Sequence, residues 1–449
     1  MCAFAFGGGF GEHDMAMTPD KAETPALDRA VRLASRRLLP MLLLMYVLSF
    51  LDRTNLAFAR QAFQAETGVS NAVYAMGAGL FFLTYALFEA PSNLILHKVG
   101  ARRWMARIMV TWGLLSAAMM FATGERSFYA LRLALGAAEA GFFPGVILYL
   151  TYWFPAEARG RVMGLFYFGA PLSFILGGPF SGWLLELHGL GGLQGWQWMF
   201  LVEGLLASLV GVWTFFYLDD RPSDARWLPE EERRALSAAV EADEQGRVAH
   251  GASRLRDLIT RPRILLFVAI YFLIQLSVFG VIFDLPLQVG ALLGKKVGLE
   301  VGLVTATPWV CAMAAVFILP RLAGRYGGTA TIAAIALALS GLGMAVSAAS
   351  GPGVALIALC VATAGFIGAQ PLFWTFPTRY LGGLAAAGGL AMINALGALG
   401  GFVAPNLKTW ADARFGSPNA GLYVMACGTL LAALLFLALR STPERRPPA

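Results

Sequence analysis

The sequence predicts an all-α integral membrane protein whose twelve transmembrane helices form two halves of six. Composition is the first observation, since 58% of the 449 residues are hydrophobic and only 14% are charged. The second is that the apolar residues fall into about twelve runs of roughly 18 or more, the length that spans a bilayer as a helix. The third is that one long polar segment divides these runs six and six.

The runs are separated by short polar loops, and each is predicted to be one membrane-spanning helix. In chain order they cover residues 38–60, 72–96, 104–123, 128–152, 162–185, 196–218, 264–287, 299–320, 329–349, 353–375, 384–405 and 419–439.

Lys and Arg placement predicts the orientation, because cytoplasmic loops carry an excess of basic residues. With the N-terminus inside, the cytoplasmic side receives most basic residues, and the other side keeps only Arg60, Arg126, Lys295, Lys296, Lys408 and Arg414. Both termini are therefore predicted to be cytoplasmic, in a multi-pass protein of the inner membrane. The loop bias accounts for the net charge of +7, so a nucleic-acid partner is not expected.

The polar segments set the predicted domain limits. The glycine- and proline-bearing N-terminal residues have no apolar period and are expected to be disordered; Met15 or Met17 is a candidate start. In the central loop, Pro229 is predicted to begin an amphipathic helix that lies on the membrane surface as a linker. The predicted units are a tail at 1–27, a half at 28–218, a cytoplasmic loop at 219–263, a half at 264–440 and a tail at 441–449.

The two halves share weak sequence echoes. Phe154-Pro155 ends the fourth run as Phe376-Pro377 ends the tenth, and Pro179 in the fifth run corresponds to Pro405 in the eleventh. Such recurrence is typical of two repeats about an axis along the membrane normal, with a binding site between them.

Charged residues inside two apolar runs are the main functional signal, because charges at bilayer depth are costly. Arg132 and Glu139 are seven residues apart, so both leave one face of the fourth helix. Asp52 and Arg53 lie in the middle of the first run and face different neighbours. The alternative is a buried structural ion network. These residues are predicted to line a substrate and proton pathway.

Polar and aromatic residues on other helices are candidates with an open alternative. Tyr85 offers a donor to an anion, Asn394 offers hydrogen bonds to carboxylate or hydroxyl oxygens, and Trp374 offers a flat apolar wall. Glu89 is nearer the cytoplasmic end and is a candidate gate. Packing and contacts between helices would explain each of them equally well.

Several stretches together resemble the anion:cation symporter family of the major facilitator superfamily, in particular its tartrate, phthalate and 4-hydroxyphenylacetate permeases. The resemblance is carried by Phe50-Leu51-Asp52-Arg53-Thr54-Asn55, Pro91-Ser92-Asn93, Gly100-Ala101-Arg102-Arg103-Trp104, Glu139-Ala140-Gly141-Phe142-Phe143-Pro144-Gly145, Tyr152-Trp153-Phe154-Pro155, Gly195-Trp196-Gln197-Trp198-Met199-Phe200 and Ala225-Arg226-Trp227-Leu228. These stretches cover nearly the whole chain after residue 35.

The resemblance implies import of an organic anion coupled to protons. Asp52 and Glu139 would carry the protons and Arg132 would bind the substrate carboxylate, with Arg53 pairing with the acids. Tyr85, Trp374 and Asn394 would line the pocket. The predicted gating or structural positions are Glu89, Arg102, Arg103, Pro144 and Pro179. One departure is His97, where the superfamily's loop motif usually begins with an aspartate, so an aspartate-centred latch would be weakened or replaced.

The predicted function is secondary active import of a small organic carboxylate, aromatic, hydroxy-dicarboxylic or sugar acid, by proton symport. Carboxylates in a low-dielectric cavity bind protons more readily than in water, and protonating Glu139 would release Arg132, whose guanidinium suits a carboxylate. The alternatives are an exchanger or passive uniporter of the same fold, or a transporter-like sensor. No enzyme motif and no cofactor beyond the coupling proton is predicted, and a monomer in the lipid bilayer is the expected unit.

Overall fold

The computed structural model describes residues 25–248, 261–381 and 384–439. Residues 1–24 and 440–449, which include Met15, Met17 and most of the two predicted tails, lie outside these residues. Within them the chain is helical, and no strand occurs in the described ranges. The helices of the first half are α1 (Pro25–Thr67), α2 (Asn71–Val99), α3 (Ala101–Ala118), α4 (Glu125–Glu139), α5 (Phe142–Trp153), α6 (Ala156–Tyr167), α7 (Gly169–Leu185) and α8 (Gly195–Tyr217).

The central loop contains α9 (Glu230–Val248). The second half contains α10 (Pro262–Ile282), α11 (Leu285–Leu293), α12 (Leu299–Tyr326), α13 (Thr329–Ala349), α14 (Pro352–Tyr380), α15 (Leu384–Ala398), α16 (Gly400–Phe415) and α17 (Ala420–Ala438).

Twelve helical stretches among the described residues are long and apolar enough to cross a membrane, as the sequence predicts. α4 and α5 together form the fourth span, α6 and α7 the fifth, and Gly389–Phe415 the eleventh. The largest difference in bounds is at the first span, because α1 begins at Pro25, inside the predicted tail, and ends at Thr67. Its polar ends continue the helix beyond its apolar middle, which hydropathy alone does not detect.

The helix ends fall into two groups, one at each end of the bundle. The basic end carries Arg29, Arg102, Arg159 and Arg321, and the far end carries Arg60 and Lys408. The positive-inside pattern predicts that the basic end is cytoplasmic.

Close helix crossings between the halves depend on glycine. α7 packs against α12 and α2 packs against α16. A Cβ atom on Gly178 would lie 2.5 Å from the Gly302 oxygen, and one on Gly302 would lie 2.1 Å from the Gly178 oxygen. Only hydrogen at both positions lets the two backbones approach this closely, as small residues commonly do in membrane bundles. The far end is therefore tightly packed.

Helix α9 is docked on the first half. Its first turn contains Glu231 and Glu232, which pair with Arg29 of α1 at 3.2 and 2.8 Å. The hydrogen bond from Arg29 lowers the pKa of the Glu232 carboxyl. Asp243 of α9 forms an ion pair with Arg159. The predicted amphipathic helix is therefore present, and it contacts the first half through ion pairs.

Candidate functional site

A cavity of about 370 Å³ lies between the two halves. Both halves supply its wall, which is mainly aromatic, hydroxyl and carboxamide in character. The side chains from the first half include Tyr46, Phe50, Arg53, Phe82, Tyr85, Phe143, Tyr167 and Phe174, and those from the second half include Tyr271, Gln275, Phe279, Gln370, Trp374, Thr375, Thr378 and Asn394.

The cavity opens toward the basic end. Gly160 and Gly164 of α6 and Thr378 of α14 belong to its wall and are exposed. Gly160 lies between Arg159 and Arg161, which the sequence places in a basic loop. A small molecule would therefore reach the site from the basic end in this conformation.

Aromatic contacts between the halves close the cavity toward the far end. Phe82 of α2 packs on Phe279 of α10 with ring centroids 4.3 Å apart. Phe174 of α7 packs on Trp309 of α12 with ring centroids 4.0 Å apart. These apolar contacts exclude water without specific polar partners, so they can separate when the halves move.

Beyond the aromatic contacts, a charge cluster joins the halves at the far end. Asp284, which precedes α11, accepts a hydrogen bond from Arg60 of α1 at 3.1 Å and lies 3.3 Å from the Lys408 ammonium of α16. Lys408 also pairs with Asp412 at 2.6 Å. Among the ion pairs of the described residues, only the one with Asp284 connects Arg60 to the second half. The sequence analysis assigns Arg60 and Lys408 only to one side of the membrane, because their pairing with Asp284 depends on how the helices pack.

Arg53 and Glu139 form the ion pair beside the cavity. The Arg53 Nη2 atom lies 2.6 Å and its Nε atom 3.1 Å from the Glu139 Oε1 atom. Glu139 is fully buried, whereas 11% of the Arg53 side chain is exposed, on the cavity wall. The rings of Phe50 and Tyr85 flank the guanidinium at 5.0 and 5.1 Å, which favours a cation there.

Glu139 is positioned by a break in the fourth span. It is the last residue of α4, since Ala140 has an extended ψ of 132° and Gly141 has a left-handed φ of 85°. A Cβ atom at Gly141 would also lie 2.3 Å from the Ser92 Oγ atom of α2. The C-terminal end of a helix carries partial negative charge and favours a cation. Arg53 therefore compensates both the carboxylate and the helix end.

Asp52 faces away from the cavity into the first half. Its side chain is 4% exposed and is not part of the cavity wall. Its Oδ1 atom accepts hydrogen bonds from the Ser116 hydroxyl and from the Asn55 amide at 3.3 Å. Adjacent helix positions point about 100° apart, so Asp52 and Arg53 serve different surroundings, as the sequence predicts.

Arg132 is buried behind the cavity wall, with 2% exposed. Its guanidinium donates to the Gly77 oxygen at 3.1 Å and to the Ala78 oxygen at 3.4 Å, and it lies over the Phe81 ring. In the described chain Glu139 pairs with Arg53 rather than with Arg132. The expected contact between Arg132 and substrate stays a prediction, and the cavity-facing guanidinium is that of Arg53.

The other predicted pocket residues lie at the cavity. Tyr85, Trp374 and Asn394 all belong to its wall. The Asn394 amide donates to the Oε1 atom of Glu89 at 3.0 Å, which links α15 of the second half to α2 of the first. Glu89 itself is buried behind the wall, with 1% exposed. Trp374 packs edge-on against Tyr271 at 4.9 Å.

The predicted gating residues are spread over the first half. Arg103 is exposed, and the Arg102 backbone N–H donates to the Asp220 carboxylate at 2.8 Å. Asp220 follows α8 and thereby caps α3, while His97 contacts the Tyr152 hydroxyl at 2.7 Å. Asp220 thus supplies an aspartate to the loop in which His97 occupies the position of the motif's usual aspartate. Pro144 lies in the first turn of α5, where a missing N–H costs nothing, and Pro179 lies inside α7.

Sequence reasoning missed several wall residues. Tyr46, Tyr167, Tyr271 and Gln275 lie in ordinary apolar runs. A buried tyrosine needs a partner for its hydroxyl, so a cluster of tyrosines on different spans is a usable signal. Their common direction, however, follows only from the helix packing.

Comparison with known proteins agrees with this architecture. The sequence model of the Major Facilitator Superfamily matches residues 42–405. The inner membrane transport protein RhmT of Escherichia coli is 47% identical over 93% of this chain and 96% of its own length. A putative tartrate transporter of Agrobacterium vitis is 44% identical over 93% of this chain and 92% of its own length.

Solved structures show the same fold. A bacterial homologue of the human lysosomal transporter Spinster, in an inward-facing and unoccupied conformation, has a TM-score of 0.73 at 16% identity and covers 95% of this chain and 100% of its own. The xylose transporter XylE from E. coli, in a partially occluded inward-open conformation, has a TM-score of 0.71 at 15% identity. The match covers 93% of this chain and 100% of the XylE chain. With twelve spans among its described residues and a central cavity, this chain belongs to the major facilitator superfamily and is a multi-pass transporter of the inner membrane.

Proposed function

We propose that this protein imports a small organic carboxylate together with protons. The observation that carries the proposal is the Arg53–Glu139 pair, in which the cavity-facing cation has a fully buried carboxylate as its partner. A substrate carboxylate and the Glu139 carboxylate compete for one guanidinium. Proton binding by Glu139 removes one competitor, so it favours substrate binding.

The cycle follows from this competition. Protonated Glu139 no longer holds Arg53, which then binds the substrate carboxylate, ideally in a bidentate manner. The neutralised site can pass through a conformation in which both ends are closed, and the halves rock about it. Release of the proton at the basic end restores the Arg53–Glu139 pair and expels the anion. Each pH unit drives the proton by about 1.4 kcal/mol.

The chemistry of the cavity supports an organic acid as substrate. Arg53 is the charged side chain among the described wall residues, and hydroxyls and carboxamides such as Tyr85, Gln370 and Asn394 surround it. Aromatic rings, including Trp374, form the rest of the wall. The names of the relatives are consistent with this class, since two from Agrobacterium vitis are described as putative tartrate transporters.

The test is uptake into proteoliposomes with an imposed inward proton gradient. The substrates are radiolabelled tartrate, galactonate, phthalate and 4-hydroxyphenylacetate. We expect one acid to accumulate above its external concentration, and a protonophore to abolish that accumulation. Each proton moved inward is also favoured by about 2.3 kcal/mol per 100 mV, so the dependence on voltage reports the number of protons per anion.

Glu139→Gln is the decisive variant, because glutamine keeps the shape and cannot exchange a proton. We expect accumulation to be lost while exchange of internal for external substrate continues. Glu157→Gln, an exposed acid on α6, is the matched control. Gradient-independent flux in the unmodified protein would identify an exchanger or uniporter, and unchanged accumulation in Glu139→Gln would refute the role of Glu139.

A further inference from the structure

A second group of polar side chains, two of which are carboxylic acids, lies inside the first half, apart from the cavity. It consists of Asp52 and Asn55 on α1, Ser116 on α3, Ser181 on α7 and Glu203 on α8, and we call it the inner polar cluster. All five are at most 4% exposed, and none belongs to the cavity wall. The proposed cycle at Arg53 and Glu139 makes no use of Glu203.

Hydroxyl groups hold one oxygen of each acid. The Ser181 hydroxyl donates to the Glu203 Oε1 atom at 2.7 Å, and the Ser116 hydroxyl donates to the Asp52 Oδ1 atom. The Asn55 amide nitrogen also donates to Asp52 Oδ1, at 3.3 Å. The Asn55 side chain also interacts with Glu203, so it lies in the cluster between the two acids.

Three acceptor atoms of this cluster are buried without a hydrogen-bond partner among the described residues. They are the Asp52 Oδ2, Glu203 Oε2 and Asn55 Oδ1 atoms. A buried polar atom without a partner costs about 1–3 kcal/mol, and more when it is charged. The cluster therefore has an excess of acceptors and lacks donors.

Basic side chains do not supply the missing donors. Helices α7 and α8 contain no Lys, Arg or His, and the arginines of α3 are confined to its first two turns, far from Ser116. The charged groups that act on Asp52 are Arg132 and Glu139 of α4, Arg53 of its own helix and Glu203 of α8. Neither acid has an ion pair within 4 Å in the described part of the chain, while Arg132 and Arg53 are bound elsewhere.

Tight helix packing encloses the cluster. A Cβ atom on Gly113 would lie 2.5 Å from the Gly204 oxygen, and one on Gly204 would lie 2.4 Å from the Ala117 nitrogen. α3 and α8 are thus in backbone contact beside Ser116 and Glu203. Two ionised carboxylates close together in such a medium repel one another and are poorly solvated. Carboxylic acid groups would instead donate to the orphaned acceptors.

We propose that Glu203 forms a further proton-binding site of the first half, linked through Asn55 to Asp52, the acid to which the resemblance already assigns a proton. Protonation turns one acceptor of each acid into a donor, and Asn55 Oδ1 is an available acceptor for it. The site joins α1, α3, α7 and α8, so its proton stabilises the packing of four helices of the first half. It rests on burial and hydrogen bonding alone and does not require the proposed substrate.

Infrared difference spectroscopy of the reconstituted, substrate-free protein tests this directly, through the C=O stretch of protonated carboxylic acids during a pH titration. We expect a band at neutral pH that is lost in Glu203→Gln and altered in Asp52→Asn. Glu157→Gln is the control and should leave it unchanged. A neutral-pH spectrum that is identical in the wild type and in Glu203→Gln would overturn the proposal.

Two further measurements keep the test decisive. Ser181→Ala retains the Glu203 carboxyl group and removes one of its hydrogen bonds, so we expect its C=O band to shift in frequency. An unshifted band would contradict the assignment. This variant takes the place of Glu203→Gln if that substitution prevents folding. Exchanging choline for sodium at constant pH should leave the band unchanged. Its loss in sodium would show that the site binds a metal cation, which would also overturn the proposal. Since no substrate is present, these results are independent of the uptake experiment.

Discussion

The first half buries five charged side chains within its described spans, Asp52, Glu89, Arg132, Glu139 and Glu203, and places a sixth, Arg53, on the cavity wall. In the second half, the buried charged residues of the described chain are Asp284 and Lys408, and both lie at the far end. Around the cavity the second half instead offers rings, hydroxyls and carboxamides such as Tyr271, Gln275 and Trp374.

This difference has a mechanical consequence. Arg53 and Glu139 belong to the same half, so rocking of the halves leaves their pairing geometry intact. Around the cavity, the contacts that rocking must separate are apolar, as between Phe174 and Trp309, or join a neutral amide to an acid, as between Asn394 and Glu89; an ion pair between the halves, Arg60–Asp284, lies at the far end. Breaking a buried ion pair would cost about 3–5 kcal/mol, so placing the charges beside the cavity in one half keeps the interface around the cavity easy to separate. We infer that one half holds the charge and the other shapes the site.

The largest expected effect comes from removing the charge of the first half. Arg53→Gln leaves Glu139 buried without its cation and removes the positive charge of the described cavity wall. Because breaking such a pair costs about 3–5 kcal/mol, we expect initial uptake at neutral pH to fall by at least about 100-fold. Arg126→Gln, an exposed residue on α4, is the control. Wild-type uptake in Arg53→Gln would contradict the division of roles between the halves.

A change of shape in the second half should have a smaller and different effect. Trp374→Ala removes an aromatic wall, and we expect KM to rise by about tenfold, corresponding to about 1.4 kcal/mol of lost contact. The pH dependence of uptake should not change, because no charged group is altered. Trp410→Ala, an exposed tryptophan at the far end of the same half, is the control. A shifted pH profile in Trp374→Ala would show that the second half takes part in proton coupling.

The smallest expected effect lies at the charge cluster that joins the halves. Asp284→Asn weakens its contacts with Arg60 and Lys408, so the far end should open more often. In a variant without native cysteines, Thr305→Cys reports this opening, because Thr305 is 2% exposed between the halves. We expect thiol labelling to be about threefold faster, since partly solvated ion pairs contribute about 1 kcal/mol or less.

Asp412→Asn provides the matched control for that experiment. Asp412 pairs with Lys408 on the same helix, so its loss leaves the Arg60–Asp284 contact between the halves in place. Labelling should then remain near the wild-type rate. Equal acceleration by both variants would mean that general loosening of α16, and not the contact between halves, controls the far end.

The amino-acid sequence determined the spans and the family. Apolar length and the resemblance in stretches such as Glu139–Gly145 are local properties, so they identify twelve helices and mark Asp52, Arg53, Arg132 and Glu139 without knowledge of packing. Charges within an apolar run can be recognised from the sequence alone, because the free-energy cost of placing them in the bilayer does not depend on which helix lies next to them.

Tertiary structure decided which of these charges meet. Arg53 and Glu139 are 86 positions apart, and the break at Gly141 together with the packing of α1 on α5 brings them into contact. The same packing turns Arg132 toward the backbone of α2 and places Asp52 beside Glu203. The Asp284 contacts and the tyrosines of the cavity wall also required it. Pairing depends on the rotation and crossing of helices, which hydrophobic periodicity constrains only to a face and never to a partner.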